Sequence, residues 1–206
     1  MDNKAYLDQI AVKGKVKSGP IFTPMLIKLI AAGVILLITL VIVGNVISSS
    51  NAKITQTYER VYYRVSQLST NSNTTNPLKK YLDKLRDSNL RSYATNLFSV
   101  LTSANQSLGG VISGVGVKTS SISKEVTTAE SGSLTAYMAA LDNAVLAGTL
   151  DRTFATETNY QVSTLIQYSN ESLKKTNNQA YANTINKFIQ DLTVIQQQIE
   201  EWSNSH

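Results

Sequence analysis

The side chains that carry most proton transfer and metal binding are nearly missing from this 206-residue chain. It has no cysteine, and its single histidine, His206, is the last residue. Thiolate nucleophiles, disulfides, thiolate metal sites and cysteine lipidation are thereby excluded. General-base and zinc chemistry lose their commonest residue. The groups left that could act are carboxylates: Asp142, Asp151, Glu157, Glu171 and Asp191. Facing helices hold two metals through Glu-x-x-His pairs, but nothing acidic lies three residues before His206. The five acids share no paired spacing and fall between apolar stripes, which reads as solvated surface. No catalytic residue, cofactor site or metal site is predicted, and the chain is expected not to be an enzyme.

Three other patterns have chemical meaning. "GVGVKTS", Gly114 to Ser120, has the look of a phosphate loop, but Val117 stands where glycine must precede the lysine, and no buried strand leads into it. The apolar Val111, Ile112, Val115 and Val117 around it offer either an exposed contact loop or a loop packed over the end of a domain. "YERVYYRV" and "KKYLDKLRDSNLR" interleave aromatic and basic residues. In the second, Lys79 with Asp83 and Asp87 with Arg91 have the i,i+4 spacing of a solvated helix face. Sequons at Asn73, Asn105 and Asn170 are expected by chance in so Asn/Ser/Thr-rich a chain.

Charge narrows the partners further. The net charge is +5, yet residues 1 to 28 hold five lysines against two aspartates, which leaves only +2 for the remainder. That is too little to predict nucleic-acid binding.

Most of the apolar content is concentrated early, in "KLIAAGVILLITLVIVGNVIS" at residues 28 to 48. Leu29 to Gly44 is sixteen residues without a charge, and the apolar segment extends from Met25 to Ile47. At about 1.5 Å per helical residue it reaches roughly 34 Å, against a hydrocarbon core of about 30 Å. Leu29, Ile30, Val34, Ile35, Leu36, Leu37, Ile38, Leu40, Val41, Ile42 and Val43 should together favour insertion by roughly 3–7 kcal/mol. Lys28 lies at an edge, where its side chain can snorkel. No polar face interrupts the run, so a buried soluble helix is a poor description of it. The segment is therefore predicted to be a single-pass anchor in the lipid bilayer. Lys13, Lys15, Lys17 and Lys28 against Lys53, Arg60 and Arg64 tilt the orientation toward a cytoplasmic N-terminus and an extracytoplasmic remainder. "SNA", Ser50 to Ala52, would suit cleavage after Ala52, although the run is long for a signal peptide.

Beyond the anchor the pattern is helical. Ile54, Tyr58, Val61, Val65 and Leu68 alternate spacings of four and three. With no Pro or Gly after Ile47, they predict a stalk helix over 48–69 that continues the anchor. Leu78, Leu82, Leu85, Tyr93, Leu97, Leu101, Ala104 and Leu108 predict one helix of about thirty residues from Pro77 to the Gly109-Gly110 pair. Residues 109–132, rich in Gly, Ser and Thr, read as a long connection. Ser133 would then cap a short helix with Leu134, Met138, Leu141 and Val145 inward, closed by Gly148. A further helix from about Leu150 to Lys175 carries Phe154, Val162, Leu165, Tyr168 and Leu173. The clearest pattern is Tyr181, Ile185, Phe188, Leu192, Ile195, Ile199 and Trp202, which keeps a 4-3-4-3-4-3 spacing throughout.

The expected fold is all-α: a basic segment 1–24, a transmembrane helix 25–47, and over 48–206 an up-and-down bundle of about four to five helices. The expected function is that of a membrane-anchored envelope scaffold or interaction module. Its partners would be the bilayer, another envelope or surface protein, or a second copy of itself. A sensor-like ligand-binding bundle working with a partner subunit and a secreted helical protein are the alternatives.

Overall fold

The computed structural model describes residues 52–206. The anchor residues, Lys28 to Val43, and the whole 25–47 segment lie outside the described residues. Within them every regular element is helical: α1 over residues 52–68, α2 Pro77–Leu82, α3 Ser88–Val111, a 3₁₀ turn Ile112–Val115, α4 Lys124–Ala147, α5 Leu150–Leu173 and α6 Gln179–Ser205. Among the described residues, no helix is long and apolar enough to cross a membrane.

The stripes seen in the sequence become the core. On α1, Tyr58, Val61, Val65 and Leu68 are buried, and Ile54 packs against them. All seven stripe residues of α6, from Tyr181 to Trp202, are buried. Helix α6 packs along both α3 and α5, so its heptad surface is used inside the chain. Cross-contacts show the alternation of direction. Gln196 of α6 donates to Ser163 Oγ of α5 at 3.0 Å, Tyr181 donates to Ser172 Oγ at 3.1 Å, and Arg64 of α1 reaches both Glu130 and Gln161. One end of the bundle therefore gathers residue 52, the 112–123 connection and the 174–178 loop. The other gathers residues 69–87, the Gly148-Thr149 turn and the end of α6.

Two helix boundaries differ from the sequence expectation. The long helix predicted from Pro77 is broken at residues 83–87. Asp87 accepts from Leu90 N at 2.8 Å and starts α3, while Asp151 of α5 accepts from Arg86 N at 3.0 Å and Asp87 N at 2.9 Å. Once those amides are satisfied from outside, nothing draws the chain into a continuous helix. The Lys79–Asp83 and Asp87–Arg91 pairs are not formed. Lys80 pairs with Asp142 at 2.8 Å instead, and Lys79 Nζ sits 4.9 Å over the Phe98 ring.

The predicted 109–132 connection is mostly helix. Gly109 and Gly110 lie inside α3 with open space around them, and the chain turns only at Gly116, whose φ of +82° suits glycine. Helix α4 already begins at Lys124, so Ser133 sits in its middle and caps nothing. Its buried face is Val126, Glu130, Tyr137, Leu141 and Ala144: of the predicted set Leu141 is fully buried, Leu134 and Met138 pack partly buried against the core, and Val145 is exposed. Gly148 does close this helix, with φ +73°.

Asn76 is a buried clasp between α1 and α2. Fully buried, it donates through Nδ2 to Leu68 O at 2.6 Å and Thr70 O at 2.8 Å, while its Oδ1 accepts from Leu78 N at 2.9 Å and caps α2. All of its polar capacity is engaged across the turn. Asn76→Asp keeps the cap acceptor but sets a carboxylate against two carbonyl oxygens, and should cost about 2–4 kcal/mol in urea unfolding followed by circular dichroism. A loss below that of an exposed control, Asn71→Asp, would remove the clasp from this account.

Asp87 supplies a pH-dependent test. Its bond from Leu90 N–H, above all, holds the carboxyl below the ordinary carboxylate range, with burial opposing. A folded value depressed below the unfolded one contributes stability above the unfolded pKa, lost as pH falls through the folded pKa. Asn is an equally good cap but does not titrate there. The melting temperature of Asp87→Asn should therefore approach that of the wild type as pH is lowered from neutral into the acid limb. A gap independent of pH would assign the Asp87 contribution to packing instead.

Candidate functional site

The most unusual chemistry in the described bundle lies in its middle, where a charge is buried. Arg64 of α1 is 1% exposed, and Glu130 of α4 and Gln161 of α5 are 3% exposed each. The Arg64 guanidinium donates through Nη1 to Glu130 Oε2, and through Nη2 to Gln161 Oε1 and to Ser133 Oγ, the last at 3.1 Å. Its plane lies 6.0 Å from the centre of the Tyr168 ring, and the Arg60 guanidinium lies 5.7 Å from the same ring. Next to Tyr168 on α5, Ser169 Oγ is buried without a protein partner, as is Arg64 Nε.

Each helix delivers its member by ordinary helical spacing. Arg64 stands three residues after Val61 and four before Leu68, on the inward stripe of α1. Glu130 stands four after Val126 on α4, and Gln161 follows Phe154 and Thr158 on α5. Tyr137 and Thr158 extend the polar seam between α4 and α5, their hydroxyls 2.7 Å apart. Burial pushes the Tyr137 hydroxyl far up from its ordinary value. Burial likewise raises Tyr168, the Glu130 charge adding to this and the Arg64 charge opposing it. Neither phenol is set up to ionise near neutrality.

The arrangement is therefore a charge-assisted lock across three helices. A guanidinium has five donors in a fixed fork, and a carboxylate and an amide oxygen taken from different helices suit it well. No roomy cavity opens onto it: the enclosed apolar void nearby, between Leu68, Leu97, Tyr137 and Gln161, holds about 10 Å³, at the lower limit for one water. Among the described residues no cluster of three His, Asp or Glu side chains could hold a metal. The larger concavities are open clefts at the ends. One of 680 Å³ is lined by Lys84, Arg86, Arg152, Trp202 and His206, and one of 540 Å³ by Ile54, Gly114, Lys175 and Asn178.

The residues singled out from the sequence are dispersed. Of the contact loop, Ile112 and Val117 are buried, and Val111 and Val115 pack partly buried against the core. A loop packed over the bundle end describes that burial. Asp142 pairs with Lys80, Asp191 with Lys187, and Glu171 accepts from Gln167 at 3.1 Å. Asp151 ties down the 83–87 segment. His206 stacks on Trp202 with ring centres 4.6 Å apart. In "YERVYYRV", Tyr58 meets Tyr181 edge-on at 5.2 Å and Tyr63 shares a 2.9 Å hydrogen bond with Ser131. The sequence reading missed Glu130 and Gln161 because they are polar residues on inward stripes. The available signal was that each fills a helical core position which an apolar count leaves blank.

No protein-family model, curated protein sequence or solved structure matches this chain.

The lock predicts an asymmetry. Arg64→Ala strands Glu130 in the core and should cost about 3–5 kcal/mol, whereas Arg64→Met with Glu130→Met, which leaves only the neutral Gln161 oxygen buried without its donor, should cost clearly less. Equilibrium denaturation of the two variants decides the matter: a double variant as weak as the single one would contradict a purely structural ion pair.

Proposed function

We propose that the chain is a membrane-anchored, non-enzymatic interaction module of the cell envelope, with residues 25–47 spanning the bilayer and the helical bundle outside the cytoplasm as its working part. The observation that carries this reading is the position of α1. Its stripe lies in the bundle core, and no Pro or Gly separates it from the end of the apolar segment at Ile47. An anchor and the first core element five residues apart in sequence make the bundle a body held close to the membrane. An up-and-down order of five long helices, α1 and α3 to α6, fits this, because an odd number puts the C-terminus at the end away from the anchor.

Interaction rather than small-molecule sensing is favoured by the concavities. The clefts of 680 and 540 Å³ are open to solvent at the two ends, whereas small-molecule sites bury most of their ligand. The end away from the anchor also presents Leu146, 87% exposed, its chain neighbour Val145, and the exposed His206 ring stacked on the buried Trp202. Aromatic and apolar groups beside Lys84, Arg86 and Arg152 form the kind of surface that contacts another protein.

Fractionation tests the anchor. The full chain should stay with membranes after a carbonate wash, and a C-terminal tag should be digested by protease added to intact spheroplasts. A soluble product lacking everything before Lys53 would replace this reading with the secreted one, and a protected tag would reverse the orientation.

A further inference from the structure

We propose that the anchor-side end of the bundle is a basic collar that seats on anionic lipid headgroups of the leaflet from which the chain emerges. This rests on the anchored reading above, and the structure adds a charge distribution that the sequence order hides. Lys53 opens α1, Lys118 lies in the connection after Gly116, Lys124 opens α4, and Lys174 and Lys175 follow α5. They are far apart in the chain, yet all five sit at one end of the bundle. Cross-contacts fix that placement. Lys175 Nζ donates to Thr57 Oγ1 at 2.9 Å, Ser123 Oγ donates to Glu59 at 2.6 Å, Gln56 donates to Glu125 at 2.5 Å, and Asn178 Nδ2 donates to Gly114 O at 3.3 Å.

All five lysines are exposed, and among the described residues none makes an ion pair. Of the acids at this end, Glu59 is buried against Ser123, Glu125 is engaged by Gln56, and Glu171 lies a turn inside. The opposite end is balanced, with six basic residues and six acids in residues 69–91, 142–152 and 200–206. The positive excess of the bundle therefore lies at the end where the apolar segment joins it.

Proximity gives that excess its partner. Six residue steps separate Ile47 from Lys53, at most about 20 Å if extended and about 9 Å if helical. A screening length of about 8–10 Å at physiological ionic strength puts a collar so tethered within range of a phosphate surface. The lysines stand on four separate segments around the end, which suits a diffuse, planar layer of headgroup phosphates better than one compact anion.

The absence of native cysteine makes the test clean. Ser120→Cys on the collar side and Asn204→Cys at the other end each give one site for a fluorescent donor. The full chain is reconstituted into vesicles of phosphatidylcholine alone, or of phosphatidylcholine and phosphatidylglycerol in equal parts, with a headgroup-linked acceptor. Energy transfer from position 120 should rise about twofold in the anionic vesicles and fall back at high salt, with position 204 unchanged. The rise should vanish in the Lys53, Lys118, Lys124, Lys174 and Lys175→Gln variant. It should be partly lost when Lys175, which also bonds Thr57, is kept and only Lys53, Lys118 and Lys124 are changed. Equal transfer in both lipids, or a rise that survives the substitutions, overturns headgroup seating while leaving the anchor intact. Loss of the unmodified chain from carbonate-washed vesicles overturns the anchor itself.

Discussion

Burying a guanidinium sets terms that much of this bundle has to meet. The desolvation of Arg64 is offset only if acceptors stand at fixed places around it. Glu130, Gln161 and Ser133 provide them from two helices that approach α1 together. The relative register of α1, α4 and α5 is thus defined to within less than a helical turn. A slip of one turn, about 5.4 Å, would separate the guanidinium from every oxygen it contacts and leave two charges in an apolar interior. Tyr137 and Thr158 continue the same polar seam. Between α4 and α5, then, specificity is supplied by directional bonds more than by interdigitated aliphatic chains.

The other half of the bundle is held differently. Helix α6 presents an unbroken apolar stripe to α3 and α5, and its packing is the non-directional burial that a heptad pattern provides. An apolar stripe alone tolerates neighbouring registers, so the ends of the bundle need other constraints. At one end Asp151 ties the 83–87 segment to α5 and Asn76 closes the α1–α2 turn. At the other, Glu59 and Gln56 of α1 fasten the start of α4. Since the α6 heptad is consumed within the chain, it is not available as a zipper between copies. Self-association would have to use another face.

This division explains what could be read from the sequence. Helix α6 was legible in full because its seven core positions are all apolar at strict 4-3 spacing. The α1 stripe was legible for the same reason, and α5 through its buried Phe154, Val162 and Leu165 but not through its buried Thr158, Gln161, Ser169 and Ser172. Of helix α4 only the second half, up to Gly148, was legible, because between Val126 and Tyr137 its one fully buried residue is an acid, Glu130, set among Ser, Thr, Ala and Gly. A period counted on apolar residues alone dissolves there into what looks like a linker. The break at residues 83–87 was hidden for the opposite reason: Leu78, Leu82 and Leu85 keep a helical period right through it. The amides that end α2 are satisfied by Asp151, sixty-four residues after Asp87, and no local signal announces a contact at that separation. The Arg64 lock shares this difficulty. Each of its members is an ordinary polar residue in its own segment, and only tertiary contact makes them a set.

The two kinds of packing bear on how an anchored bundle would carry load. In the proposed arrangement α1 is the element nearest the membrane, so displacement of the anchor reaches the bundle through α1 first. Apolar contacts resist separation of helices but oppose axial sliding weakly, because one aliphatic neighbour substitutes for another. A fork of hydrogen bonds to two helices opposes sliding directly, since a shift along the axis takes the guanidinium off the Glu130, Ser133 and Gln161 oxygens at once. The anchor as proposed would put the fully buried Arg64–Glu130 pair, the one such pair among the described residues, on the helix next to it in the chain, so that the stiffest connection would lie where displacement enters and the more forgiving apolar seam behind it.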